Sequence, residues 1–121
     1  MNESVNVELL TAQVRALLRF VLDEADFPGR TELQNQAPSV IVTGGPLTML
    51  DLRVTGPARA SIFKDGPIPV SIVAVDQAGV SMGELLIWVT HGYLSALEFA
   101  WWSKESPDKL PALNGLQVVQ K

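Results

Sequence analysis

Apolar residues recur at spacings of three and four near the start of the chain. They are Val7, Leu10, Val14, Leu17, Val21 and Ala25. This spacing places them along one face of a helix. Ser4 or Asn6 can cap its start, and Phe27-Pro28-Gly29 ends it. The sequence therefore predicts an amphipathic helix over about residues 5–26.

Beyond a polar connector at residues 30–38, short β-branched runs alternate with Gly and Pro. This pattern is typical of a sheet. Gly44-Gly45-Pro46 separates two such runs and predicts a hairpin. The strands are expected at Ser39–Thr43, Leu47–Val54 and Val70–Val75, with a loop over Thr55–Pro69 that holds a short edge segment around Ser61–Lys64.

The most legible element is a second hairpin, formed by Glu84–Thr90 and Tyr93–Trp102 and closed by His91-Gly92. Regular pairing across a two-residue turn would place Glu98 on one face and Glu84 on the other. Both faces are largely apolar. One helix covers only one of them, so we expect either the C-terminal tail or a partner to cover the second.

These elements predict one α+β domain over residues 1–121. An N-terminal amphipathic helix packs on a twisted antiparallel sheet of five to six strands, which spans about residues 39–102. The tail, residues 103–121, is expected to supply one short strand.

Composition narrows the function. The 121 residues include 9 Lys+Arg against 13 Asp+Glu, one His and no Cys, for a formal net charge of −4. Without cysteine there are no disulfides or thiolate metal ligands. The absence of a basic stripe argues against nucleic acid, and no apolar run reaches the ~20 residues of a membrane span. We therefore expect a cytoplasmic protein.

The sequence contains few residues that could act as a nucleophile, a general base or a metal ligand. His91 falls at the tip of a turn, where positive φ explains it, and no carboxylates cluster at metal-binding spacing. The paired glycines lead into strands and not into phosphate-binding helices. We expect no cofactor, no metal and no enzymatic activity.

Glu98 is the most unusual residue of the hairpin, because it is predicted among apolar neighbours. A buried carboxylate is costly unless it is paired. It is either a general acid or base, or a structural group that pairs with Arg53 or meets water at the sheet edge. We favour the structural alternative and name Glu98 and Arg53 as a candidate buried charge pair.

Aromatic residues concentrate in the same hairpin, which is typical of interfaces. Trp101 and Trp102 are adjacent and must face opposite ways, so at least one is expected in the core, as is Trp88. Nearby carboxylates would select a basic partner. The candidate interface residues are Trp101, Trp102, Tyr93, Glu98, Glu105 and Asp108.

Two segments of the hairpin, Gly83–Val89 and Gly92–Phe99, together with Pro107 and Pro111, resemble a pattern in small bacterial proteins frequent in actinobacteria. Asp65–Pro69 and Leu50–Val54 fit the same pattern, so the resemblance covers roughly residues 47–111. Hairpins of this type are also similar to those of small immunity proteins that neutralise polymorphic toxins. No catalytic residue comes with the motif.

The leading hypothesis is a non-enzymatic protein-binding module, an immunity-type inhibitor that masks a bacterial toxin. One alternative is a homodimeric structural or adaptor domain whose second sheet face pairs with its own copy. Another is a small-ligand-binding domain with a pocket between helix and sheet that uses Glu98 and Arg53.

Overall fold

The computed structural model describes residues 3–56, 59, 60 and 64–120 of the chain. Two α-helices precede an antiparallel sheet, so the α+β prediction is confirmed. The helices are α1 (Glu3–Glu24) and α2 (Arg30–Gln36), and short 3-10 turns occupy Ala37–Ser39 and Leu113–Gly115. The strands are β1 (Ile41–Gly44), β2 (Met49–Arg53), β3 (Gly66–Pro67), β4 (Val70–Val75), β5 (Ser81–Thr90), β6 (Tyr93–Trp101) and β7 (Leu116–Gln120).

The sheet has seven strands, against the five to six that the sequence predicts. Their order is β1-β2-β6-β5-β4-β7, and β3 pairs with β5. The tail supplies β7, which pairs with β4 in unbroken register. The tail therefore extends the sheet at one edge and leaves the second face, at the described residues, without a strand or helix over it.

The helical region differs from the prediction at both ends. Because α1 begins at Glu3, the candidate caps Ser4 and Asn6 lie within the helix and not before it, and their side chains are outside the described part of the structure. The expected polar connector forms α2 instead, with Leu33 and Gln36 buried. Glu, Leu and Gln favour helix. Burial of Leu33, which packs toward α1, stabilises the short helix α2. Most of the expected edge segment Ser61–Lys64 lies outside the described residues.

Both helices pack on one face of the sheet. The buried side chains of α1 include Val14, Leu17, Leu18, Val21 and Leu22. All strands except β3 contribute residues to the same cluster, among them Val42, Leu50, Leu52, Ile72, Ala74, Leu85, Ile87, Val89, Leu94, Leu97, Phe99 and Leu116. Because side chains alternate along a strand, the intervening residues point away from the helices.

The tip of the β5–β6 hairpin is anchored to α2. His91 and Gly92 both have positive φ, 53° and 82°, as the predicted two-residue turn requires. The buried Gln36 side chain donates from Nε2 to the Gly92 carbonyl at 2.9 Å and accepts from the Leu94 N–H at 2.9 Å. A Cβ at Gly92 would lie 2.6 Å from the Ala60 carbonyl oxygen. The turn is thus packed from two sides.

A bulge shifts the register of this hairpin. Trp88 pairs with Ala96 and Val89 with Leu94, so Ser95 has no partner on β5. As a result Leu86 pairs with Glu98, and Glu84 pairs with Ala100. The prediction that Glu84 and Glu98 lie on opposite faces is therefore wrong: the extra residue turns Glu98 onto the face that carries Glu84.

Candidate functional site

The face of the sheet opposite the helices is the candidate site, here called the open face. None of the side chains of the buried core belongs to it. Its central strands expose their residues only partly, since neighbouring side chains shield one another. Register and alternation place on it Ile41, Met49, Asp51, Arg53, Ser71, Val73, Glu84, Leu86, Trp88, Thr90, Tyr93, Ala96, Glu98, Ala100, Gln117 and Val119.

Apolar side chains from several strands lie on the open face. Leu86 and Trp88 lie at its centre on β5 and are half-buried. Met49 on β2 is 38% exposed, and Val119 on β7 is 56% exposed. A large apolar patch at the surface of a protein commonly marks a contact with another molecule.

Two carboxylates lie among these apolar side chains, and neutral donors hold both. The Trp88 indole Nε1 donates to Glu98 Oε1 at 3.0 Å, and the Ser71 hydroxyl donates to Glu84 Oε1 at 3.5 Å. Glu84 and Glu98 are diagonal neighbours across β5 and β6, a position in which Cα atoms lie about 7–8 Å apart. The indole of Trp88 orients one of the two charges without neutralising it.

The expected pair between Glu98 and Arg53 does not form. Glu98 is opposite Met49 on β2, and Arg53 lies four residues further along that strand, about 13 Å away at the rise of a strand. Both residues are on the open face, so neither can line a pocket between the helices and the sheet. The prediction missed this because it lacked the order in which β2 and β6 pair.

The charges of the open face are predominantly negative. Among the strand residues that the structure describes on it, Asp51, Glu84 and Glu98 are acidic and Arg53 is basic. The neighbours of Glu98 and Glu84 across the strands are Met49, Leu86, Ala100 and Val73, all apolar. A cation that meets the two glutamates must therefore come from outside the described part of this face.

The three tryptophans and Tyr93 lie outside the buried core. Trp88 is on the open face and not in the core. Trp101 and Trp102 are 38% and 57% exposed, so the expectation that one of them is buried is wrong. Trp102 donates from Nε1 to the Ser81 carbonyl at 3.0 Å beyond the end of β6. Tyr93 lies on the open face, opposite Thr90.

Trp101, Glu105 and Asp108 lie apart from the other candidate interface residues. They line a wide groove of about 1390 Å³ at the end of the sheet, beneath the segment that leads to β7. Phe99, which belongs to the core, lines the same groove. The six predicted interface residues thus divide: Tyr93 and Glu98 belong to the open face, Trp102 lies at its end, and the other three belong to the groove.

The other features of the described residues do not form a recognisable catalytic or metal site. No three of their His, Asp or Glu side chains come together as a metal site. The His91 backbone N–H donates to Asp65 Oδ1 at 2.8 Å, which fixes the turn. A cavity of about 340 Å³ opens between α1 and α2, beside Arg15, Arg19 and Asp23. Neither helix combines the length and the apolar character needed to cross a membrane.

No family model, curated protein or solved structure matches this chain. The likeness to immunity proteins therefore remains a resemblance carried by the β5–β6 hairpin and nearby residues. Leu86, Trp88 and Glu84 were not among the predicted site residues. The alternation along Glu84–Thr90 could have shown that these three share a face, but not which face the helices cover.

Proposed function

We propose that this chain is a non-enzymatic protein-binding module whose partner docks on the open face. The observation that carries the proposal is an apolar sheet face with two glutamates held by neutral donors. Half-buried Leu86 and Trp88 supply the apolar surface, and Tyr93 adds a second aromatic residue near the hairpin tip. Buried aromatic anchors with a polar surround are typical of protein interfaces.

The partner surface is basic. When a partner covers Glu84 and Glu98, it removes them from water, and an unpaired carboxylate in that environment is strongly destabilising. A cationic side chain from the partner would offset this cost. The net charge of −4 would also accelerate the approach of a positively charged protein.

The more specific proposal is an immunity-type inhibitor that masks a bacterial toxin, present in the cytoplasm of the cell that makes it. It is supported by the resemblance of the hairpin to immunity proteins. Masking requires a large complementary surface and no reaction at the site. An open face built from β2, β6, β5, β4 and β7 supplies such a surface without any rearrangement of the fold.

The test is affinity capture from a lysate of the source cells, with three forms of the tagged chain. The first is the wild type. The second carries Glu84→Gln and Glu98→Gln, which remove two charges from the open face while a glutamine oxygen can still accept from Trp88. The third carries Glu105→Gln and Asp108→Asn, which make the same change in net charge at the groove.

We expect a single stoichiometric basic protein with the wild type and with the groove variant. The open-face variant should bind it at least about ten-fold more weakly, since each charged hydrogen bond contributes about 1.5–3 kcal/mol. Loss of binding in the groove variant alone, or an acidic partner, would show that the open face is not the docking surface.

The toxin hypothesis has a separate test. The captured partner is expressed alone and then together with this chain. Growth arrest by the partner, relieved by the wild type and not by the open-face variant, would support an immunity-type inhibitor. A harmless partner would contradict that reading and would leave the protein-binding module in place.

A further inference from the structure

The two outer edges of the sheet are built differently. At the β1 edge, the Val42 N–H donates to Thr11 Oγ1 on α1 at 3.2 Å. Arg15 Nε, also on α1, donates to the Val40 carbonyl just before the strand at 2.7 Å. The register of β1 also breaks between Val42 and Gly44. Helix cover, a bulge and short length are the devices that prevent an edge strand from pairing with another chain.

The described β7 edge is also short but has neither helix cover nor a bulge. Its five residues pair with β4 without a register shift, from Leu116 opposite Ala74 to Gln120 opposite Val70. The strand reads LQVVQ and contains neither a charge nor a proline. In the described part of the chain, no strand pairs with its outer side. Such an edge presents free backbone N–H and C=O groups in the spacing that another strand needs.

We propose that the β7 edge pairs with β7 of a second copy of this chain, giving an antiparallel two-fold dimer with one continuous sheet. Paired residues of a sheet point to the same face. Leu116 and Val118 are on the helix-covered face, where both contact the core, so a two-fold axis at Val118 matches the faces. It pairs Val118 with its own copy, Gln117 with Val119, and Leu116 with Gln120.

Chemistry favours a second copy over an unrelated strand. No charged residue within β7 would face its equivalent across the axis, where like charges would be destabilising. The central pair is β-branched, which suits a strand interface. Two-fold contacts that use one patch twice are also the commonest form of oligomer. This dimer differs from the face-to-face homodimer of the sequence hypothesis, and it leaves the open face of each copy free.

The dimer is tested by analytical ultracentrifugation of the full chain from about 1 µM to about 1 mM, a range that brackets a weak interface. Three exposed residues are replaced singly by lysine. Val119→Lys adds a charge at the β7 edge, Met49→Lys adds it on the open face at the other side of the sheet, and Val80→Lys adds it in the β4–β5 turn. The three side chains are 56%, 38% and 60% exposed, so the fold should tolerate each change.

We expect a reversible dimer for the wild type, weakened at least about ten-fold by Val119→Lys and changed less than about three-fold by the two controls, since lysine on an edge strand blocks pairing. Hydrogen exchange gives a second measurement: amides within residues 116–120 should exchange more slowly as the wild-type concentration rises, and this effect should vanish in Val119→Lys.

A wild-type chain that stays monomeric throughout this range would overturn the proposal. A dimer that Met49→Lys weakens as much as Val119→Lys would also overturn it, because the open face would then be the contact. Neither result bears on the binding of a basic partner, which is measured with other variants and a different protein.

Discussion

Gln36 shows how much of this fold depends on a single polar side chain. It is fully buried at the end of α2 and binds the backbone at Gly92 in the hairpin turn and at Leu94 on β6. In the sequence it belongs to a polar stretch that gives no sign of burial. A glutamine amide can satisfy one donor and one acceptor together. Here it accepts from the Leu94 N–H and donates to the Gly92 carbonyl, which also accepts from the Ala60 N–H at 2.8 Å.

Replacing Gln36 with leucine should destabilise the protein by about 1–3 kcal/mol, because the Leu94 N–H would lose its buried acceptor, whereas the Gly92 carbonyl would keep the Ala60 N–H as a donor. Urea unfolding followed by circular dichroism measures this change. Asn35→Leu, on the exposed side of the same helix, is the control and should alter the free energy of unfolding by less than about 0.5 kcal/mol. Equal effects of the two substitutions would contradict the role assigned to Gln36.

At the level of single residues, the sequence predicted the turn and missed its support. His91 and Gly92 were identifiable because a two-residue hairpin turn needs positive φ. The partners of Glu98 could not be identified from the sequence, since they depend on which strand lies beside β6. Charge alone indicates Arg53 as a partner for Glu98, but the pairing of β2 with β6 places Met49 opposite Glu98.

Among the elements, the strands with clear alternation were predictable. β4, β5 and β6 lie close to their expected positions because period-two patterns are strong there. The bulge at Ser95 was not predictable, since both faces of the hairpin are apolar and a one-residue shift leaves the pattern intact. That shift decided whether Glu84 and Glu98 share a face, and so the composition of the candidate site.

Helix α1 also has a role beyond covering the core, because Thr11 accepts a hydrogen bond from the edge strand β1. Thr11→Val keeps the shape of the side chain and removes the acceptor for the Val42 N–H. We expect a loss of about 1–3 kcal/mol in the free energy of unfolding and faster hydrogen exchange at that amide.

The matched control for Thr11→Val is Thr43→Val, at an exposed position of β1 whose hydroxyl donates to the Asp51 carbonyl at 3.3 Å. It should change stability by less than about 0.5 kcal/mol. If Val42 exchanges at the wild-type rate in Thr11→Val, then water or another group satisfies its N–H and the helix does not protect this edge.

Over the described residues, the molecule is a helical layer on a seven-stranded sheet, with one face covered by the helices and the other face open. The class of fold followed from the order of patterns along the chain: one helical segment and then strands. The sequence does not predict which face of the sheet stays open. When both faces of the central strands are apolar, the helix and strand patterns do not indicate which face the helices cover.

The net charge of −4 predicts opposite salt responses for the two proposed contacts. Raising NaCl from about 0.1 M to about 1 M shortens the screening length from about 10 Å to about 3 Å. Two acidic copies then repel each other less, so dimerisation through β7 should strengthen by a factor of about two to five, whereas a basic partner should bind the open face more weakly.

Sedimentation at both salt concentrations measures the first response, and a titration of the captured partner measures the second. A dimer that dissociates as salt is added would mean that oppositely charged groups hold it together. That outcome would exclude the uncharged β7 edge as its main contact.

The protected β1 edge has a consequence for how far assembly can proceed. A sheet whose two edge strands can both pair with other molecules can add molecules without limit and grow into a ribbon. Here each molecule has one edge strand, β7, that is free to pair, and formation of the dimer occupies this edge in both copies. The contacts of Thr11 and Arg15 with the β1 edge thus stop assembly at the dimer. They prevent the protein from forming open-ended polymers even when it is abundant.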